Sequence, residues 1–402
     1  MTTFVWPPID SDIEAAVVRQ LHETTSIYDR SGIIARFEDA FAARHHAQHP
    51  LLTSSGTAAL LSSYYGLGVG PGDEVLVQDY TFFATAMPMF VLGATPVLVD
   101  VTPDGDLNLE QAATLITPRT KAVVVTHMWG HPQDTTLLRA FCDQHGLALV
   151  EDCSHAHGAS RGGISVGELA DAAAWSLQGK KVITAGEGGI MTTPHREVHD
   201  RATLLGHFAK RAVSTVEQTS PLYRYAETGL GLKLRSHPLG LAMAEVYLGR
   251  LDSWLSAKQR HAAQLEAVVD GVPGVRVLTP TGAGHVSTLY AFVVVVDAGV
   301  AGFTRDDLLA ATRRHGSTEF EHCDSMRPLH RFPAFTDPLS PVTTYDTPLI
   351  RGDLSTSDAL ADGAVRVNVP VDHTPASTAY IEAAASALSG ALAELGAARV
   401  TA

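Results

Sequence analysis

The sequence predicts an α/β protein, with a large domain on a mostly parallel sheet followed by a smaller C-terminal α/β domain. Two observations predict it. Apolar runs of strand length alternate with helical stretches of roughly ten to fifteen residues, the βα pattern that covers a parallel sheet with helices on both faces. After Gly271-Val272-Pro273-Gly274 the texture changes to a second, shorter alternation. A length of 402 residues suits such a pair, since single cores stop growing at roughly 250–300 residues. The expected division is an N-terminal helical segment over 1–35, the large domain over 36–270 and the small domain over 271–402.

In chain order, residues 13–23 read as an amphipathic helix, and Ser31-Gly32 precedes a second one from Ile33. Ser55-Gly56-Thr57 leads into a helix that runs to about Tyr65, and Pro71-Gly72-Asp73 is a turn feeding a strand at 74–77. Another helix is expected near Ala84, then strands at 95–100, 121–126 and 147–151, the last two separated by a helix around 136–145. Strands at 172–176 and 189–192 flank a lysine-containing loop. A long helix follows over 237–269, with Pro238 near its start. The small domain should comprise a strand at 290–296, a helix at 305–315, a strand at 365–369 and a terminal helix over 374–395.

Composition narrows the function. The apolar fraction of 45% with 18% charged residues is that of a globular protein. A net charge of −14 opposes general nucleic-acid or membrane-surface binding, while leaving room for an anion held locally by backbone N–H groups. The three cysteines, at 142, 153 and 323, form neither a disulfide scaffold nor a metal-site spacing. His155 and His157 lack a matching third ligand nearby, so no metal is expected. The N-terminus has no signal-peptide pattern and no run is long enough for a membrane helix, which makes the cytoplasm the expected location.

Three segments can carry chemistry. In Ser55-Gly56-Thr57 a flexible glycine precedes a helix start, whose free N–H groups suit a phosphate; an ordinary helix cap has the same appearance. Asp152 follows the apolar strand Leu147-Ala148-Leu149-Val150 and should emerge at the carboxyl edge of the sheet, where open α/β folds bind ligands. There it either caps a turn or keeps a ring nitrogen protonated. Lys180 and Lys181 are both candidate amines, and Ala185-Gly186-Glu187-Gly188-Gly189 beyond them implies a constrained turn.

Together with Gly70-Pro71-Gly72-Asp73-Glu74-Val75, Asp79-Tyr80-Thr81-Phe82-Phe83-Ala84-Thr85 and Gly93-Ala94-Thr95-Pro96-Val97, these segments resemble the DegT/DnrJ/EryC1/StrS family of sugar and cyclitol aminotransferases. The resemblance spans nearly the whole chain. It implies a fold type I transferase whose large domain binds pyridoxal 5′-phosphate, with pyridoxamine 5′-phosphate as the intermediate form. By position, Gly56, Thr57 and Ser176 look like phosphate binders, Phe82 like the aromatic over the cofactor ring, and Asp152 like the partner of its nitrogen. Lys181, five residues after Ser176 and six before Glu187, falls at the Schiff-base position.

Two positions depart from the family pattern. His155 stands where many relatives have glutamine, and Lys233-Leu234-Arg235 replaces the usual Asn-aromatic-Arg segment that reaches the partner subunit's cofactor phosphate. Gln178 resembles the Ser-x-Gln of cyclitol and antibiotic-pathway relatives. The implied activity is amino transfer from glutamine or glutamate to a ketosugar or keto-cyclitol in secondary-metabolite biosynthesis, by a homodimer with shared active sites. A lyase, dehydratase or cyclase on a related substrate is the alternative. Trp129, His131, His207, Arg235, His322 and His330 are candidate substrate contacts.

Overall fold

The computed structural model describes residues 6–282, 284–324 and 326–401, and side chains through residue 397. The large domain is built on β1 (Leu51–Thr53), β2 (Glu74–Gln78), β3 (Thr95–Val99), β4 (Thr120–Thr126), β5 (Ala148–Asp152), a small hairpin β6 (Ser160–Arg161) and β7 (Ile164–Ser165), then β8 (Ala172–Ser176) and β9 (Gly189–Thr192). The seven-stranded sheet has the order β1-β9-β8-β5-β4-β2-β3. Its β8, β5, β4, β2 and β3 run parallel, and β9 lies antiparallel to both β8 and β1.

Side chains alternate across this sheet because successive Cβ atoms point to opposite faces. Val75, Val77, Ala122 and Val124 pack on one face with Ala59, Leu60 and Tyr64 of the helix Gly56–Gly66. Leu76, Val123 and Val125 pack on the other with Leu138 and Cys142 of the helix Thr135–His145. Both faces are therefore covered, and the strands read as continuous apolar runs. The open edge for chemistry is the carboxyl one. Asp152 and Ser176 are the last residues of β5 and β8, and the helix Gly56–Gly66 starts just past β1.

The second sheet contains β10 (Val275–Val277), β12 (Phe292–Val296), β13 (Glu321–His322) and β14 (Ala364–Val367), antiparallel in the order β10-β12-β14-β13; β11 (His285–Val286) instead pairs with β6. Helices Arg305–Arg314 and Pro375–Thr401 bury Leu308, Leu309, Ile381 and Leu388 against this smaller sheet. The helix Pro238–Val269 serves both cores. Leu241, Tyr247, Leu251 and Leu255 join the large domain's core, and Ala262, Leu265 and Val269 join the small one. Pro238 is its first residue, where a missing N–H costs nothing, and the His237 side chain accepts from Leu239 N.

The helix expected near Ala84 takes a different form. Residues 83–85 form a 3-10 turn and the helix there is only Met87–Val91, with Pro88 in its first turn. Proline is excluded from a helix interior, so a helix could not run from Ala84 through it. None of the described helices is long and apolar enough to cross a membrane.

Candidate active site

The first wall of the site is set by close backbone approach. The Ser55 hydroxyl caps its helix by accepting from Ala58 N at 3.0 Å. A Cβ on Gly56 would lie 2.7 Å from Ser176 Cβ, and one on Gly189 2.2 Å from Ser55 O. Only glycine fits at both places, and the fit presses the helix start at Gly56 and Thr57 against Ser176. Thr57 stays exposed. The amides of the first turn have no intrahelical acceptor, and the helix dipole makes this corner attractive to an anion.

Asp152 forms the second wall. It is 3% exposed, with one carboxylate oxygen accepting from Thr85 Oγ1 at 2.7 Å and the other from Ser154 N at 3.0 Å. Thr85 is itself fixed: Tyr64 Oη donates to its carbonyl at 2.7 Å, and the hydroxyls of Thr81 and Thr126 lie 3.1 and 3.3 Å from its own.

The two lysines separate by burial. Lys180 is exposed, while Lys181 is 9% exposed with its Nζ 4.7 Å from the centre of the Tyr290 ring. Burial pulls the Lys181 amine down to about 8; the Asp152 carboxylate opposes this and the Lys180 charge adds to it. The His155 imidazole stacks on Tyr290 with centroids 4.0 Å apart and planes 8° apart. Burial, together with the positive charge of Lys181, holds His155 neutral, well below the ordinary histidine value. An amine near neutral pH, a carboxylate at the strand end and an anion-binding corner thus converge. A cavity of about 300 Å³ adjoins them, lined by Ser154, His155, Lys258, Tyr290 and Arg366 among others.

Other candidates take different places. Phe82 is half-buried, its ring 4.2 Å from that of Phe83, and packs against the apolar cluster that contains Tyr80 and Trp129. The Gln178 side chain accepts from Lys180 N at 2.9 Å, and its carbonyl from Lys181 N at 2.8 Å, so it shapes the lysine turn. Lys233 and Arg235 line a separate cavity with Tyr28, His207 and Lys210, and the Arg235 guanidinium lies 4.9 Å from the Tyr28 ring centre. His207 is tied to Leu52 O at 3.1 Å. Trp129 is fully buried, donating to Tyr80 Oη at 3.3 Å. His131, His322 and His330 face Asp106, Asp306 and Asp79 respectively. Neither Trp129 nor these histidines line the cavity beside Lys181.

Sequence reasoning missed Thr85 and Lys258 as site groups and read Tyr290 only as a strand residue. Thr85 lay inside a quoted motif without a partner to suggest its role. Tyr290 precedes an apolar strand, and Lys258 sits mid-helix like any snorkelling lysine. His127, Glu151 and Cys153 do gather ligand atoms within 4.8 Å of one another. The ring nitrogens of His127 are already used, by Glu151 Oε2 at 2.8 Å and Gln133 N at 3.1 Å, and burial pushes the Cys153 thiol up, away from the thiolate a metal needs. That cluster reads as a buried hydrogen-bond network.

Comparison with known proteins identifies the family. The profile of the DegT/DnrJ/EryC1/StrS aminotransferase family matches residues 8–353. The dTDP-3-amino-3,4,6-trideoxy-alpha-D-glucose transaminase of Streptomyces venezuelae is 33% identical over 66% of this chain and 67% of its own. The L-glutamine:2-deoxy-scyllo-inosose aminotransferase of Streptomyces paromomycinus is 35% identical over 66% of this chain and 62% of its own. An aminotransferase structure from Psychrobacter cryohalolentis shares the fold, with a TM-score of 0.85 at 24% identity, covering 98% of this chain and 99% of that one. The chain belongs to the DegT/DnrJ/EryC1/StrS family and is a pyridoxal-phosphate-dependent aminotransferase.

Proposed function

We propose that Lys181 is the residue that carries the cofactor, and that the enzyme moves an amino group from glutamine or glutamate to a ketosugar or keto-cyclitol. The observation that carries this reading is the contrast between the adjacent lysines: Lys181 is buried beside Tyr290, in the field of Asp152, and Lys180 is exposed. Pyridoxal phosphate, when bound, supplies a conjugated ring that takes up the electron pair left as a proton leaves the substrate carbon.

The residues fit that group. The corner where Gly56 meets Ser176 leaves no room for a Cβ, and presents the amides of Gly56 and Thr57 with the Ser176 hydroxyl to a phosphate. Asp152, oriented by Thr85 and Ser154 N, keeps a ring nitrogen protonated. Phe82 offers an aromatic face, and neutral His155 a donor for a phenolic oxygen. Gln178 holds the turn that aims Lys181. Lys181 Nζ, with its proton affinity lowered toward neutral pH, takes the proton from the substrate carbon and returns it. Lys233 and Arg235, in their own cavity, are assigned to the partner's site in a homodimer.

The named activities of the two curated relatives, one on a nucleotide sugar and one on an inosose with glutamine, support the acceptor and donor classes. Borohydride reduction of the cofactor-loaded protein, followed by peptide mapping, tests the central assignment. Cofactor on the peptide at Lys181 is expected, and cofactor on Lys180 would overturn it. Amination of a panel of ketosugars and keto-cyclitols, read by mass, tests the acceptor.

A further inference from the structure

The mechanism above leaves one buried amine unused. Lys258 lies in the middle of the helix Pro238–Val269, is 7% exposed, and makes no hydrogen bond or ion pair among the described residues. A buried ammonium without a counter-charge carries a large desolvation cost. Burial alone pulls this amine down to about 7. Such a group is a natural receptor for an anion that restores the missing charge.

Lys258 lines the cavity that also contains His155 and Tyr290. Those two rings are stacked, and Lys181 Nζ lies over the same Tyr290 ring, so the cavity abuts the reacting amine. The other basic groups on its wall have a counter-charge, are neutral or are exposed, although the Arg366 Nε is buried without a hydrogen-bond partner. Arg366 is paired with Glu321 at 2.6 Å. Burial keeps His155 and His157 neutral, and Lys180 is exposed. Lys258 is a buried amine on this wall with no counter-charge among the described residues, and a single amine that an incoming anion would keep protonated fits a carboxylate better than a doubly charged phosphate. Every amino-acid donor brings a carboxylate next to its reacting carbon, whereas a ketosugar or cyclitol ring need not.

The geometry points to Lys258 as the group that takes the carboxylate of the amino-acid donor, given Lys181 as the reacting amine. This makes Lys258 a residue of donor recognition, separate from proton transfer.

The test uses cofactor-loaded wild type, Lys258→Met, Lys258→Gln and Lys258→Arg, with glutarate as a non-reacting carboxylate probe and inorganic phosphate as the competing anion. Thermal unfolding identifies which variants fold, the glutamine variant serving if the methionine one does not. In the neutral variants glutarate affinity should fall, and KM for the donor should rise, by roughly ten- to a hundredfold, the range of one charge-assisted hydrogen bond. The acceptor's KM should stay within about twofold. Lys258→Arg should recover part of the loss. Unchanged glutarate affinity and donor KM would overturn the inference, as would an effect confined to the acceptor or to phosphate. Borohydride mapping of the wild type separates the two readings: label away from Lys181 defeats the assignment of the reacting amine whatever glutarate does.

Discussion

Thr85 Oγ1 donates to Asp152 Oδ2 at 2.7 Å, and this bond joins the loop after β2 to the end of β5. The hydroxyl fixes one carboxylate oxygen while Ser154 N fixes the other, so Asp152 is held in a single orientation. Thr85→Val keeps the shape and removes the donor. The turnover number should fall about tenfold, corresponding to ~1.4 kcal/mol, near the lower end for a hydrogen bond to a charged group, with the donor's KM little changed. Asp152→Asn should cost more, about a hundred- to a thousandfold, because it removes a charge that stabilises the transition state. Steady-state kinetics of the two variants checks the ranking. Near-native turnover in Asp152→Asn would make that carboxylate structural.

With Lys181 proposed as the amine that captures the cofactor, the pH dependence of capture follows from its burial. Only the neutral amine condenses with an aldehyde, and burial brings the Lys181 amine down to about 8. Capture by the cofactor-free protein, followed by absorbance, should therefore rise with pH and level off above about 8. Lys180 contributes to the lowering, so Lys180→Ala should move the midpoint to higher pH while leaving Lys181 as the labelled residue. The linkage has the same sign. A lysine whose folded pKa lies below its unfolded value of about 10.4 makes stability increase as pH rises between the two. A midpoint unmoved by Lys180→Ala would show that the neighbouring charge is screened.

Gly56 and Gly70 make a matched pair for the anion corner. An alanine methyl at Gly56 meets Ser176 Cβ at 2.7 Å and Ser176 Cα at 3.0 Å, whereas Gly70 has nothing within 4 Å. Gly56→Ala should destabilise the fold by about 1–3 kcal/mol through overpacking, and should weaken cofactor affinity by prising the helix start from Ser176. Gly70→Ala should stay within about 0.5 kcal/mol. Urea unfolding with a cofactor titration reads both. Equal stability in the two variants would mean that the Gly56–Ser176 contact relaxes freely.

These residues also show what the sequence could reveal. Local signals were legible. The strands flanking the lysine loop form at 172–176 and 189–192 as read, because each is a short apolar run between polar turns. Pro238 marked the start of the long helix. The three-residue β1 went unread, since its pairing with β9 spans most of the large domain's sequence. The helix Leu109–Leu115 also went unread; its apolar face is short and its Asn108 cap was passed over. Thr85, Tyr290 and Lys258 acquire roles only through contacts made in the folded chain. Their composition says nothing of those neighbours. His155 was legible as a departure at a known position, but its stacking on Tyr290 was not.

The last prediction concerns the second cavity. Lys233 and Arg235 are grouped with Lys210 and Tyr28, and this cluster is distinct from the cavity beside Lys181. Basic groups gathered on one face of a protein with a net charge of −14 suit an anionic partner, and the proposed phosphate corner of their own protomer, where Gly56 meets Ser176, is formed by other residues. A two-fold arrangement would set this patch against the partner's phosphate corner, and symmetry would make the exchange reciprocal. Lys181→Ala and the Lys233→Ala/Arg235→Ala double variant should each be inactive alone. When they are mixed under conditions of demonstrated subunit exchange, a heterodimer combines an intact Lys181 with an intact basic patch in one of its two sites. Activity should then return to about a quarter of wild type per active-site pair, since half of the dimers are mixed and half of their sites are whole. Absence of recovery, or full activity in an isolated monomer, would assign the Lys233–Arg235 cavity to a role within its own subunit.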